Sequence, residues 1–228
     1  MKFVLAIDQS TSATKAMLFS QHGELVDKFS VSHEQIYPQP GWVEHDAEEI
    51  YQNTVQSVRT LLEQNRSIEK ELLGLSITNQ RETIVIFDRQ TGKPLHNAIV
   101  WQCRRGSEIC AALVKAGNNE IVQQKTGLPI DTYFSASKLK WLVDNRPEIH
   151  KQLVDGVALI GTIETYLIYR LTQGATFASD QTNACRTLLY DIKNLCWDEE
   201  LCDIFEVPIK ALPEVRESIA HFGETDIE

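Results

Sequence analysis

The chain opens with three short apolar runs, residues 3–7, 16–19 and 25–31, separated by polar breaks of which the second holds Gly23. Runs of this length form strands, and breaks this short let successive strands pair as an antiparallel meander. A helix follows. Asp46 stands at a cap position with Glu49 three residues later, and Ile50, Thr54, Val55, Val58, Leu61 and Leu62 recur at helical spacing. Strands are expected again over 72–77 and 84–87, the latter closed by the turn signal Asp88-Arg89-Gln90-Thr91-Gly92, and a third apolar run covers 98–101.

From Arg104 onward the pattern is mostly helical. It predicts helices over 104–116, before Gly117-Asn118-Asn119, a short one ending at Gly127, one over 136–144 before Asn145-Arg146-Pro147, and one over 162–171 stopped by Gly174. There is no internal repeat and no Pro/Ser-rich linker. The 228 residues therefore read as one elaborated α/β domain, a mixed sheet with a helical appendage.

Net charge is −10, but eleven of the 32 acidic and three of the 22 basic side chains lie in residues 191–228, which leaves 21 against 19 in the rest. A near-neutral body with an acidic end argues against a nucleic-acid or anionic-membrane partner, either of which needs a positive face. The opening apolar run is too short for a signal peptide, no run approaches a membrane span, and the five cysteines contain no C-x-x-C pair. Cytoplasmic location with reduced thiols is expected. Cys103, Cys110 and Cys185 read most simply as packing residues.

The common phosphate-binding signatures are missing. No G-x-G-x-x-G occurs, and the approach to a P-loop over 156–162 has an apolar interior and no lysine after its second glycine. H-E-x-x-H and G-x-S-x-G are absent as well. What remains is Asp8-Gln9-Ser10-Thr11-Ser12-Ala13-Thr14-Lys15, an acid followed by hydroxyls and a cation at a strand end. A hairpin of this kind offers Thr11, Ser12, backbone N–H groups and Lys15 to phosphates, with Asp8 placed to hold Mg2+ or its waters. It equally fits a polar turn with a solvated lysine.

A second constellation, Thr78-Asn79-Gln80-Arg81-Glu82-Thr83, is a polar wedge between two strand-like runs. Adjacent residues of a regular strand face opposite sides, so Arg81 and Glu82 serve one site only if the chain leaves strand geometry there. The donors of Arg and the acceptors of Glu suit an uncharged polyol; a surface ion pair beside a turn is the alternative. Trp101, at the end of a third apolar run before Arg104-Arg105, fits either the core or the apolar wall of a small-ligand site, and Tyr133-Phe134 is similarly ambiguous. The segment 37–46 reads as a rigid loop that docks Trp42 beside the helix start.

Together the Asp8 hairpin, Pro38-Gln39-Pro40-Gly41-Trp42-Val43-Glu44-His45-Asp46, Asn79-Gln80-Arg81-Glu82-Thr83, residues 97–105 and Thr182-Asn183-Ala184-Cys185-Arg186-Thr187 resemble the FGGY carbohydrate kinases, and within them the glycerol kinase branch. The resemblance runs in register over essentially the whole chain. It implies a ribonuclease H-like lobe of the actin/hexokinase ATPase type, with helical insertions. It implies ATP and Mg2+ as cofactors and glycerol or a similar small polyol as substrate, giving sn-glycerol 3-phosphate and ADP. Arg81, Glu82 and Tyr133 would bind the glycerol hydroxyls, Trp101 would face the carbon skeleton, Asp8 would sit by Mg2+, and Thr11, Ser12 and Lys15 would lie near the phosphates. A related polyol or ketose substrate, or a non-catalytic polyol-binding module, is the competing expectation.

The sequence departs from the family pattern in two places. Ser10 stands where the family usually has Gly, and Lys15 where it usually has Arg. The family's proton-accepting aspartate belongs to a Gly-Asp-Gln segment of a second lobe, which also supplies most of the adenosine site. Residues 1–228 hold no such segment, so the expectation is one substrate-binding lobe without the C-terminal ATP-binding lobe or the catalytic base, inactive alone. Oligomeric state, including a homo-oligomer, is left open.

Overall fold

The computed structural model describes residues 1–225, apart from the Glu69 side chain. The opening meander is β1 (Phe3–Gln9), β2 (Ala13–Ser20) and β3 (Leu25–Ser32). Phe3, Leu5 and Ile7 of β1 and Ala16 and Leu18 of β2 are buried, while the residues between them face outward. This alternation presents one apolar face of a half-covered sheet. After the short β4 (Glu44–His45), the chain enters α1 (Ala47–Gln64), capped by the Asp46 carboxylate, which accepts from the Glu48 and Glu49 amides. Val58 and Leu61 of α1 complete the cluster with β1 and β2.

A 3-10 turn (Arg66–Glu71) leads into β5 (Leu72–Asn79), which pairs parallel with β1 and makes the sheet order β3-β2-β1-β5. Next come β6 (Ile84–Asp88), β7 (Ala98–Ile99), α2 (Ser107–Lys115), α3 (Asn119–Thr126), α4 (Ser135–Asn145), α5 (Pro147–Asp155), β8 (Ala158–Thr162) and α6 (Ile163–Leu171). The strands of this part form a second, antiparallel sheet in the order β4-β7-β6-β8. One face packs on α1 and α6 through Ile50, Phe87, Tyr166 and Leu167, the other on α4 and α5 through Ile86, Ile160, Leu139, Leu142 and Leu153. The chain closes with β9 (Ala178–Asp180), α7 (Gln181–Ala184), β10 (Tyr190–Asp191), β11 (Cys196–Trp197), α8 (Glu199–Ile204) and β12 (Glu214–Arg216). Of these strands, β9 pairs parallel with β12, and β10 and β11 form a hairpin.

Three elements differ from the sequence reading. Asn145-Arg146-Pro147 ends one helix, as expected, but Pro147 also begins α5 at its first position, where the missing N–H of proline costs nothing. Residues 158–162, read only as the apolar interior of a failed P-loop, are a strand buried along its whole length. The predicted helix over 104–116 begins at Ser107, because residues 101–106 form turns. Trp42 is a structural residue, but it docks on α4 where the sequence reading had placed it beside the start of α1. Its ring meets Trp141 edge-on at 4.9 Å, and Arg105 lies over both rings at 4.1 and 4.7 Å while its Nη2 donates to Glu44 Oε1 at 2.5 Å.

Candidate active site

Two polar turns leave the first sheet side by side. β1 and β5 run parallel with Gln9 opposite Asn79, so the turn after Gln9 and the turn after Asn79 begin at the same level, at the carboxyl ends of neighbouring strands. That is where open parallel sheets place their ligands.

The first turn joins β1 to β2. The Ser10 amide and Ser10 Oγ both donate to the Ala13 carbonyl at 2.9 Å. Ser10 is not among the residues with positive φ, so a serine fits where the family usually has glycine, with its hydroxyl folded into the turn. The amides of Thr11 and Ser12, at the tip, donate to no acceptor among the described residues. Strand register sets Asp8 opposite Lys15, and Lys15 Nζ lies 3.1 Å from Asp8 Oδ2 in a part-exposed pair. Asp8 Oδ1 has no partner among the described residues. The tip is tied down from behind: His33 Nε2 and Gln35 Nε2 each lie 2.8 Å from the Thr11 carbonyl.

In the second turn, residues 80–83 lie between β5 and β6, and Glu82 has φ +65°. A side chain in the left-handed region is strained, and it takes the chain out of strand geometry, which was the condition for Arg81 and Glu82 to serve one site. Glu82 is 3% exposed, its carbonyl accepts from Ser135 Oγ at 3.1 Å, and its Oε1 accepts from Arg186 Nε at 2.7 Å. Glu82 Oε2 makes no hydrogen bond among the described residues. Arg81 is exposed and lines an open groove of about 1280 Å³ beside the β5 edge, also lined by Asn79, Glu164 and Asp180. Glu82, Trp101, Tyr133, Asp8 and Thr11 do not line that groove.

Trp101 joins the two turns. Its backbone N–H donates to Thr83 Oγ1 at 3.2 Å and its indole N–H to Thr11 Oγ1 at 3.0 Å. Tyr133, 39% exposed, lies against it at 5.2 Å between ring centroids. The Arg186 guanidinium sits 5.8 Å from the Tyr133 ring centre and 4.9 Å from that of Phe134. Glu82, Arg186, Tyr133, Trp101 and Thr11 thus form one chain of contacts.

Several participants escaped the sequence reading. Arg186 belonged to a quoted motif without a role, and its bond to Glu82 spans 104 positions. Lys138 is fully buried and donates to the carbonyls of Thr132, Tyr133 and Phe134 at 2.5, 3.0 and 2.9 Å, fixing the turn that presents Tyr133. Burial pulls its ammonium down to about 8. Glu164 is buried and pushed up by desolvation; its Oε1 accepts from Thr162, Thr165 and Ser179, and its Oε2 from Asn79. Burial raises Asp180, but bonds from Ser218, Asn183 and Thr182 outweigh it and hold the carboxyl low. An acid inside an otherwise buried helix start, Thr162-Ile163-Glu164-Thr165, was the available signal for the first.

Residues 3–228 match the FGGY family of carbohydrate kinases, N-terminal domain. The chain belongs to that family. It is 47% identical over 225 residues to glycerol kinase 1 of Thermotoga maritima, covering 99% of this chain and 46% of the relative. The crystal structure of Plasmodium falciparum glycerol kinase with ADP superposes with a TM-score of 0.92 at 42% identity, over 99% of this chain and 45% of that one. A gluconate kinase from Lactobacillus acidophilus, 24% identical, shares the fold with a TM-score of 0.88, over 99% of this chain and 44% of that one. The FGGY lobe described here therefore has the ribonuclease H-like fold of the actin/hexokinase ATPases, as expected from its motifs. It spans about half the length of the curated relatives it matches.

Proposed function

We propose that this lobe is the polyol-binding half of an ATP-dependent glycerol kinase, which transfers the γ-phosphoryl group of ATP to glycerol to give sn-glycerol 3-phosphate and ADP. The observation that carries the reading is the 3.0 Å bond between Trp101 Nε1 and Thr11 Oγ1, which sets a wall suited to a polyol directly against a hydroxyl-rich turn suited to phosphates. In this reading Glu82 Oε2 accepts a glycerol hydroxyl, while Arg186 occupies Oε1 and keeps the carboxylate from turning. Tyr133 and Trp101 cover the carbon chain, and Arg81 donates from the groove side. Thr11 and Ser12 offer N–H and O–H donors to the phosphates, and the Lys15 charge lies nearby.

Positioning and charge neutralisation are most of what a phosphoryl transfer asks of a protein. The donor set fits Mg2+ held in the usual way for that ion, by one carboxylate together with substrate phosphates and water: among the described residues Asp8 Oδ1 is free of partners and no cluster of three metal-ligating side chains occurs. When bound, Mg2+ would supply charge for the phosphate oxygens. Glu164 has both oxygens engaged, and the donors around Asp180 hold its carboxyl low, which weakens it as a base; the family resemblance implies that the proton acceptor for the glycerol hydroxyl is an aspartate of a Gly-Asp-Gln segment in a second lobe. No helix among the described residues is long and apolar enough to cross a membrane, and the five free thiols favour the reducing cytoplasm.

Glycerol- and ATP-dependent ADP formation tests the reading. The complete kinase should turn over with glycerol in preference to erythritol, dihydroxyacetone and xylulose, and the 228-residue chain alone should not. Indifference to glycerol would overturn the substrate assignment. Robust turnover by the isolated chain would overturn the two-lobe assignment.

A further inference from the structure

Behind the two turns lies a closed ring of hydrogen bonds whose direction is set at every step. Gln9 Nε2 donates to the Ser10 carbonyl at 2.9 Å, so Gln9 Oε1 must face Gln80, and Gln80 must answer with its NH2 group at 3.2 Å. Gln80 Oε1 then accepts from Thr83 Oγ1 at 3.0 Å, and the second Gln80 N–H reaches His45 Nδ1 at 3.2 Å. His45 therefore carries its hydrogen on Nε2 and donates to Gln35 Oε1 at 2.8 Å, while Gln35 Nε2 donates to the Thr11 carbonyl at 2.8 Å. Trp101 closes the circuit, through its backbone N–H to Thr83 Oγ1 and its indole N–H to Thr11 Oγ1. The two ends of the assignment, Gln9 and Gln35, are anchored on carbonyls, which only accept, and agree on one tautomer of His45.

This ring has consequences at both turns. An indole N–H donates and never accepts. Thr11 Oγ1 is thus an acceptor toward Trp101, and its own hydrogen, which has no acceptor among the described residues, is left to donate to a ligand oxygen. The same bond holds the Trp101 ring at a fixed angle to Tyr133. His45, Thr83 and Gln9 are fully buried and Gln80 nearly so, and in so dry a place these four are committed to their partners.

We propose that His45 is a positioning residue of the transfer site: it touches neither substrate, yet through Gln35 and Gln80 it closes the ring that sets Thr11 relative to Trp101, and with them the phosphate relative to the polyol. The inference rests on the polyol kinase reading. Burial and the neighbouring His33 keep His45 neutral at working pH, so its directional role persists.

The test has two arms. In the complete kinase, His45→Asn retains an acceptor for Gln80 and loses the donor to Gln35. Misplacement without loss of binding contacts should lower kcat by roughly ten- to a hundredfold while KM for glycerol and for ATP each change less than about threefold. Trp101→Phe cuts the same ring elsewhere, so the double variant should be no slower than the slower single one. A wild-type enzyme active on glycerol whose His45→Asn variant keeps its kcat overturns the inference, as does a double variant with multiplied losses. If the wild type does not phosphorylate glycerol, the kinase reading is what fails. The second arm then decides the ring by itself. In the 228-residue chain, hydrogen exchange of the Trp101 indole N–H, read by NMR, should speed up at least about tenfold in His45→Asn relative to wild type, under conditions where both are folded. Unchanged exchange would overturn the ring.

Discussion

The two turns that leave the first sheet together are built in opposite ways. Residues 10–13 form an ordinary hairpin with no left-handed residue, its tip half exposed and its amides at Thr11 and Ser12 unspent. Residues 80–83 are nearly all enclosed, carry Glu82 at φ +65° and commit its carbonyl and one carboxylate oxygen to Ser135 and Arg186. One turn keeps donors in reserve; the other is held in a strained shape by its surroundings. A flexible, multiply charged ligand suits the first, and a small neutral one, recognised by the placement of a few hydroxyls, suits the second.

The largest effect that would sharpen this contrast is expected at Glu82. Glu82→Ala strands the half-buried Arg186 guanidinium and keeps the strain, and should cost about 2–3 kcal/mol in urea unfolding, less than a fully buried pair because Arg186 is part exposed. Glu82→Gly should cost about 1 kcal/mol less than Glu82→Ala, since the left-handed backbone is natural to glycine. If alanine and glycine unfold at the same denaturant concentration, the strain assigned to this turn is absent.

An effect of comparable size, seen only in acid, is expected at the bridge between the turns. Burial, and then the nearby His33, push His45 from 6.5 down to about 3, and His33 is lowered by burial in the same direction. Between those values the unfolded chain binds a proton that the folded chain does not. Stability is therefore complete above pH 6.5 and falls as pH drops through the window, with a slope from His45 of about 1.4 kcal/mol per pH unit at its centre. His45→Asn should flatten the urea midpoint between about pH 6 and 4 by that amount; an unchanged slope would remove His45 from the acid response.

The smallest effect belongs to the open turn. Ser10→Gly restores the residue common in the family, but φ is not positive there and the Ser10 hydroxyl only doubles a bond its amide already makes. Stability should change by less than about 0.5 kcal/mol. A change comparable to that at Glu82 would erase the distinction between the turns.

Legibility in the sequence followed burial. β1 and β2 have one wet face, so polar residues mark the period of two, and α1 announces itself by its Asp46 cap. β8 is buried on both faces, and an apolar run between two glycines carries no period to read. The site divided along the same line. Thr78 to Thr83 stood out because polar residues interrupted apolar ones, and because neighbours in a strand face apart, an irregular backbone was the condition for Arg81 and Glu82 to share a site. The Lys15–Asp8 pair was within reach too, since a turn closed between Ser10 and Ala13 fixes which residues face across the hairpin. Arg186, Lys138 and His45 were out of reach: each acts on residues brought close only by folding, and nothing local distinguishes an arginine destined for Glu82 from one left in water.

The ladder between β1 and β5 acts as a ruler. From Leu5 opposite Leu75 to Gln9 opposite Asn79 the strands advance in step, and the one irregularity lies at the far end, between Phe3 and Leu5. The separation of the two turns is therefore written in strand length, independently of any side chain that lines them. Adding one residue to β5 would push its turn outward by about 3.3 Å and reverse the side each following residue faces. Substituting a side chain of the enclosed turn alters what it can bind and leaves its spacing from the sheet unchanged.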